Sequence, residues 1–388
     1  MIFRLFSRSA IALFLVVGSL TGSVTGASAS AFETKATHAV LMDGATGDIL
    51  FEKEGDVLMA PASMTKLMTM TLLFEALKED RLSLTDTMIV SENAWRRGGA
   101  ASGSSTMFAE VNSRIPVEDL IRGVIVQSGN DACIAIAEGM SGSEESFAEE
   151  MTRRGRELGL ERAEFRNSTG WPHPEHLMTA RDLAVLARHL VYDLSDYYPY
   201  YDEREFTWNG IKQSNRNPLL YMNMNVDGLK TGHTEASGYG LVASGEQNGR
   251  RLILVVNGLT SERERSEESE KLLRWGFREF KTYDLYAAGE VVENADVWQG
   301  VYDLVPLVVA EDVKLTLTRA ARRDMDVSVN WEGPIPAPIK AGQEVGTLTI
   351  SAPDAPTRQF PIYAGANVDQ IGLFGRATSS LLRMITGE

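Results

Sequence analysis

From Pro61 to Phe74, in the stretch PASMTKLMTMTLLF, the only charged residue is Lys66. Met64, Leu67, Met68, Met70, Leu72, Leu73 and Phe74 make a helix over residues 61–80 apolar on nearly every side, so other elements have to cover it. Lys66 is the anomaly in this helix. A buried cation is costly unless it is paired, neutralised or exposed. Ser63 stands three residues before it, on the same helical face.

The rest of the chain predicts the covering layers. HAVLMDGATGDILFEKEG (38–55) reads as two strands about a Gly/Asp turn. AWRRGGAASGSS (94–105) reads as a small-residue loop of the kind that borders sites. From Pro116 to about Leu190 the helical period dominates, in PVEDLIRGVIVQ, NDACIAIAEGM, SEESFAEEMTRRGRELG and TARDLAVLARHLVYDL. Strand character returns in ASGYGLVASGEQNGRRLILVVNGL, and a helix closes the region near Phe280. Strands, helices and strands again predict an α/β (α+β) layered domain over residues 32–283, with terminal strands that pair.

Residues 284–366 carry short alternating segments between turn residues, which predicts a small all-β domain without a catalytic cluster. Residues 367–388 predict an amphipathic helix: Ile371, Phe374, Leu381, Leu382 and Ile385 fall within an arc of about 100°. Such a helix suits a membrane surface, with packing on the β domain as the alternative. At the other end, Arg4 and Arg8, the apolar AIALFLVVGSL and the small residues of ASASA make residues 1–31 an export signal. Cleavage is expected after Ala29 or Ala31, and an uncleaved anchor is the alternative.

Loss of residues 1–31 removes two arginines and no acid, so a net charge of −15 becomes −17. That charge argues against nucleic-acid binding. The single cysteine, Cys133, lies in apolar ACIAIA and reads as a buried structural thiol, so this exported chain folds without internal disulfides. His173 and His176 have the spacing of two metal ligands but no evident third, so neither metal nor cofactor is expected.

Three short motifs carry chemistry. In Ser63-Met64-Thr65-Lys66, a desolvated lysine stands where it can take the serine proton, and the serine N–H near a helix start is free for an oxyanion. Ser128-Gly129-Asn130 fits a proton relay and a holder for a peptide amide, and equally a helix cap. In Lys230-Thr231-Gly232-His233, the lysine and threonine suit an anionic substrate terminus, and the glycine admits a substrate backbone. The ordinary alternative is a turn into the strand GYGLVASG.

The trio in this order is a known association of β-lactamases and penicillin-binding proteins. The chain resembles the low-molecular-mass penicillin-binding proteins, the serine D-alanyl-D-alanine carboxypeptidases. The resemblance extends through LMDGATGDILFEKEGD, PASMTKLMT, VQSGNDACIAIAE, NSTGWPHPEHLMTARDLA, NRNPLLYMNMNVDGLKTGHT and ASGYGLVASG. It implies a DD-peptidase/β-lactamase-like catalytic domain acting on the pentapeptide stems of peptidoglycan from the outer face of the inner membrane. Ser63 would be acylated, by β-lactam antibiotics as well as by substrate, and Lys66 would be the base. Ser128 and Asn130 would assist, and the backbone N–H groups of Ser63 and His233 would form the oxyanion hole. Lys230, Thr231 and Arg216 would meet the substrate carboxylate.

Two rivals remain. A serine β-lactamase of class A would need a glutamate four residues before Asn167, where Ala163 stands. A non-catalytic envelope protein that binds peptidoglycan is the other.

Overall fold

The computed structural model describes residues 32–353 and 355–372. The expected export signal, and the expected terminal helix from residue 373 onward, lie outside these residues. Strands β1 (His38–Asp43) and β2 (Ile49–Lys53) pair antiparallel. Their turn is held by Asp43, whose Oδ1 accepts the N–H groups of Ala45 and Thr46 at 3.1 and 3.0 Å.

The apolar run that follows is a 3-10 turn (Ala62–Thr65) leading into helix α1 (Lys66–Lys78), buried without a break from Lys66 to Phe74. Strands β3 (Thr87–Ile89) and β4 (Arg114–Pro116) flank helix α2 (Glu92–Gly98). This helix occupies part of the expected small-residue loop. Ser91 caps it, its Oγ accepting the Ala94 N–H at 3.0 Å, a local signal outweighed in the sequence by the glycines that follow.

Helices α3 (Val117–Ile125), α4 (Asn130–Ser141), α5 (Glu144–Glu157) and α6 (Ala180–Tyr192) form the expected helical block. Thr179 and Asp182 close a capping box at the start of α6. A hairpin of β5 (Glu205–Trp208) and β6 (Ile211–Ser214) precedes β7 (Val226–Thr234), β8 (Gly238–Gln247) and β9 (Arg250–Leu259), and helix α7 (Glu262–Glu279) follows.

The main sheet has the order β2-β1-β9-β8-β7 and is antiparallel throughout. Pairing of β1 with β9 joins the terminal strands, as the sequence predicts. Helix α6 packs on β1 and β9, and α7 packs on β8 and β9. The strand GYGLVASG follows Lys230-Thr231-Gly232 as expected, as β8, but the motif itself is not a turn: it lies inside β7, at the sheet edge, paired with Val242, Leu241 and Gly240.

Beyond α7, Phe280–Tyr286 pairs with Val313–Thr318, and a six-stranded sheet spans residues 291–364. Val305, Leu307, Leu315, Leu348, Ile350 and Ile362 belong to a second core there. The two regions meet at the end of β1 and the turn after it: Thr316 Oγ1 donates to Asp43 Oδ2 at 2.9 Å, and Arg358 pairs with Asp48 at 3.2 Å. The described start of the expected terminal helix is not helical. Val368 exchanges backbone hydrogen bonds with Ile339, and Ile371 N–H donates to Gln299 O, so the chain is spent on bridges before residue 373.

One polar cluster ties α1, α5 and α6 together. Arg154 grips Glu75 through Nε and Nη2 at 3.0 and 2.8 Å, and His189 Nε2 meets Glu75 at 3.1 Å. Burial alone would raise the Glu75 pKa, but hydrogen bonds from His189 and Arg154 outweigh it and hold the carboxyl at about 2. Its stabilising effect is therefore complete above the ordinary carboxylate range and is lost as pH falls towards 2. Glu75→Gln should remove the charge and destabilise the fold by about 2–4 kcal/mol at pH 7. Thermal melts at pH 7 and pH 2.5 check this: the variant's deficit should shrink at the lower pH, and an equal deficit at both would count against the ion pair.

Candidate active site

Ser63 is the second residue of the 3-10 turn, and Ala62 before it has a φ of +48°. The i, i+3 geometry survives this departure from an α-helix, because Lys66 Nζ lies 2.9 Å from Ser63 Oγ. The second contact of Nζ is the carbonyl oxygen of Thr169, at 2.7 Å. Lys66 is 1% exposed. Burial lowers its pKa to about 8, with Arg216 adding to the fall and Asp131 and Glu144 opposing it.

The Thr169 carbonyl is aimed by its own loop. Asn167 Oδ1 accepts the N–H groups of Thr169, Gly170 and Trp171 as well as the Thr169 hydroxyl. Ser168 O accepts the Thr69 hydroxyl of α1 at 2.7 Å. Gly170 has a φ of +83°, and a Cβ there would stand 1.8 Å from the Ala62 carbonyl oxygen. Two left-handed residues are thus packed back to back beneath the serine.

His176, one of the two spaced histidines, pins the same loop. Its Nδ1 accepts the Arg166 N–H at 3.2 Å, so Nε2 carries the proton and donates to Thr65 Oγ1 at 2.9 Å. Burial pushes its pKa down to about 4. His173 Nδ1 accepts the Glu175 N–H. Among the described residues no three His, Cys, Asp or Glu side chains are placed to hold a metal ion. Cys133 is fully buried, and burial pushes its thiol up to about 12.

Ser128 and Asn130 sit at the start of α4, whose cap residue is Gly129, without a side-chain cap. Asn130 Nδ2 donates to Ser104 Oγ at 3.0 Å, while its buried Oδ1 has no protein partner among the described residues. A buried amide acceptor left over in this way is suited to a ligand N–H. Asp131 holds the adjoining loop, accepting from the Thr106 hydroxyl and from the N–H groups of Met107 and Ala109.

The third motif closes the cleft from β7. A Cβ on Gly232 would come 2.9 Å from Pro61 O, so the glycine lets the strand lie against the 3-10 turn. As the edge strand, β7 leaves alternate backbone groups unpaired on that side. Lys230 is 3% exposed, and burial, then Lys66 and Arg216, drive its pKa far below the ordinary value. Thr231 is buried, while His233 is exposed and stacks on Tyr239 at 3.9 Å. Arg216 Nη1 donates to Ser105 Oγ at 2.6 Å, on the loop that also meets Asn130. Arg216 lowers the pKa of Lys66, and both lower that of Lys230, as expected of three cations close to one another.

Several residues in this arrangement are not evident in the sequence. Ser104 and Ser105 carry a weak signal as the end of the small-residue loop. Thr169 acts through a carbonyl, which no side-chain pattern reveals. Arg265 of α7 lies 5.8 Å over the Tyr239 ring and is nearly buried, yet it is hidden in the charge-dense SERERSEESE.

A sequence model described as D-alanyl-D-alanine carboxypeptidase matches residues 24–261. A second, for the C-terminal domain of penicillin-binding protein 5, matches residues 280–370. The chain is 42% identical over 340 residues to the D-alanyl-D-alanine carboxypeptidase DacC of Escherichia coli strain K12, covering 87% of this chain and 85% of that protein. Among solved structures it is similar to penicillin binding protein 5 from Haemophilus influenzae, with a TM-score of 0.79 and 36% identity, covering 87% of this chain and 99% of that one. Penicillin binding protein 6B from Escherichia coli gives 0.69 and 35%, over 85% and 95%.

Gly170→Ala sets a methyl group against the Ala62 carbonyl and should displace the turn that carries Ser63. Ser63 should lose about 10²-fold in its reaction with an acylating probe while the chain stays folded by circular dichroism. Unchanged labelling would show that the contact is not critical.

Proposed function

Since the chain belongs to the D-alanyl-D-alanine carboxypeptidase family, we propose that Ser63 carries the acyl-enzyme and Lys66 is its base. The protein is a serine-type D-Ala-D-Ala carboxypeptidase of the penicillin-binding type, a hydrolase of cell-wall remodelling. The observation that carries the residue assignment is the placement of Lys66 Nζ at 2.9 Å from Ser63 Oγ, shielded from solvent and with its pKa lowered to about 8.

In the first half-reaction neutral Lys66 accepts the Ser63 hydroxyl proton as Oγ bonds to the carbonyl carbon of the penultimate D-alanine. The oxyanion is met by the N–H groups of Ser63 and His233. The carbon–nitrogen bond then breaks, and the proton reaches the departing D-alanine amine through Ser128, with Asn130 Oδ1 holding the peptide. Lys230, Thr231 and Arg216 receive the terminal carboxylate. In the second half-reaction water takes the place of the amine, and Ser63 recovers its proton. A penicillin acylates Ser63 in the same way by opening its lactam ring.

Glu164, the acid nearest the class A register, is shared between Arg156 and Arg166, which favours the peptidase over the lactamase reading. We place the enzyme in the envelope, outside the inner membrane, and assign residues 1–31 to export, 32–283 to catalysis and 284–366 to the β domain. The apolar pattern of the sequence beyond residue 372, with Phe374, Leu381, Leu382 and Ile385, supports attachment to the membrane surface. No helix of the described residues is long and apolar enough to cross a membrane.

Purified protein incubated with a D-Ala-D-Ala-ended peptide and with labelled penicillin should release D-alanine and take up the label, and Ser63→Ala should do neither. Lys66→Gln should slow acylation by about 10²–10⁴-fold. Acylation by the wild-type enzyme should rise with pH through a midpoint near 8, as Lys66 loses its proton. A flat profile from about pH 6 to 11 would remove Lys66 as the titrating base. A chain ending at residue 372 should leave the membrane fraction; full retention there would overturn the surface anchor.

A further inference from the structure

We propose that Glu144 is a positioning residue for Lys66: a buried carboxylate that fixes the Asn167–Trp171 loop under the nucleophile and, balanced by Arg97, sets the charge that the lysine faces. The inference rests on the reading of Lys66 as the base. Glu144 opens α5, but its oxygens are not turned to its own helix. Oε1 accepts the Ser168 N–H at 3.2 Å and the Ser168 hydroxyl at 2.8 Å, and Oε2 accepts Arg97 Nη1 at 3.0 Å.

The side chain of Glu144 is 5% exposed, whereas that of Arg97 is 46% exposed. A carboxylate that deep is costly without charge-assisted partners, and these three contacts supply them. The Arg97 guanidinium also lies 5.1 Å over the Trp171 ring. One arginine therefore holds the loop near both ends, at Ser168 through Glu144 and at Trp171 directly. The residue between them that matters is Thr169, whose carbonyl oxygen takes Lys66 Nζ. Gly98, next to Arg97, packs on the start of α4 so closely that a Cβ would meet Asp131 N at 2.2 Å, so α2 touches the site from two directions.

Charges facing Lys66 come from Arg216, Lys230, Asp131 and Glu144, with Cys133 and His176 also close. The two acids are not alike. Asp131 is enclosed by backbone and hydroxyl donors, and its side-chain hydrogen bonds come from no cation. Glu144 is paired to a half-exposed arginine, so its effect on Lys66 depends on a partner whose charge can be changed from the surface. Both acids favour the protonated lysine, against its burial.

The test is the pH profile of acylation by labelled penicillin for the full-length protein, Glu144→Gln and Arg97→Met. Glu144→Gln keeps an acceptor for Ser168 but removes the charge, so the midpoint should move down. Arg97→Met leaves the carboxylate uncompensated, so the midpoint should move up, each by about half a pH unit or more. Opposite shifts support the inference, because a merely loosened loop would not produce them. Midpoints that stay put, or move the same way, overturn it. If Glu144→Gln does not fold, Arg97→Lys joins Arg97→Met: the lysine keeps the charge but not the guanidinium, so a rise in Arg97→Met that Arg97→Lys largely restores supports the inference, and equal or unmoved midpoints in the two overturn it. A wild-type profile without a midpoint would instead remove Lys66 as base, so the two failures are distinguishable.

Discussion

Lys66 Nζ touches one hydroxyl and one carbonyl oxygen, and its amine is shielded from solvent on every other side. Two neutral acceptors do not replace the hydration of an ammonium group, so burial presses the lysine towards the uncharged form. Arg216 presses the same way, and Lys66 with Arg216 in turn drives down the pKa of Lys230. The acids Asp131 and Glu144 press back, which keeps the amine basic enough to accept a proton. An amine whose pKa falls to about 8 emerges from this balance, and the balance depends on where each element of the fold stops.

The stops are made by backbone as much as by side chains. Ala62 at φ +48° turns the chain so that Ser63 leads into α1, and Gly170 at φ +83° lets the Thr169 loop come up beneath it. A non-glycine residue in the left-handed region costs on the order of 1 kcal/mol and persists only where the surroundings enforce it. Here they do. Asn167 gathers four donors of its own loop, His176 ties Thr65 to Arg166, and β7 closes the opposite side through a glycine that admits Pro61. The sheet edge supplies a rigid wall, whereas a turn at Lys230–Gly232 would have left the wall mobile.

The sequence made the layering legible, because its periods change cleanly between residues 38, 116, 238 and 280. The three motifs were legible as an ordered set, and Lys66 drew notice because an apolar helix has no ordinary use for it. Other features were not. The 3-10 turn at Ala62–Thr65 has no propensity signature apart from the helix it precedes. Helix α2 was masked by the small residues behind it, and β7 by a glycine that reads equally well as a turn. Thr169 escaped because its contribution is a carbonyl. Glu144 reads as an ordinary acidic first-turn residue, and only the fold shows its carboxylate turned away from its helix towards Ser168.

Hydrolysis of an acyl-enzyme needs a base for the incoming water, and the disposition of the acids bears on which group serves. Position 163 is a buried alanine, and Glu164 is taken up by two arginines. Asp131 and Glu144, the acids that face Lys66, are enclosed by their own donors, so neither has an oxygen free for a water on Ser63. On the reading proposed here the lysine must act in both halves of the cycle. It regains neutrality when its proton leaves with the D-alanine amine. A β-lactam keeps its nitrogen tethered to the acyl group after the ring opens, so its leaving group does not depart. On the same reading a penicilloyl group meets only the lysine as base for its water, whereas a class A lactamase adds a glutamate, and alanine stands at that position, 163, in this chain.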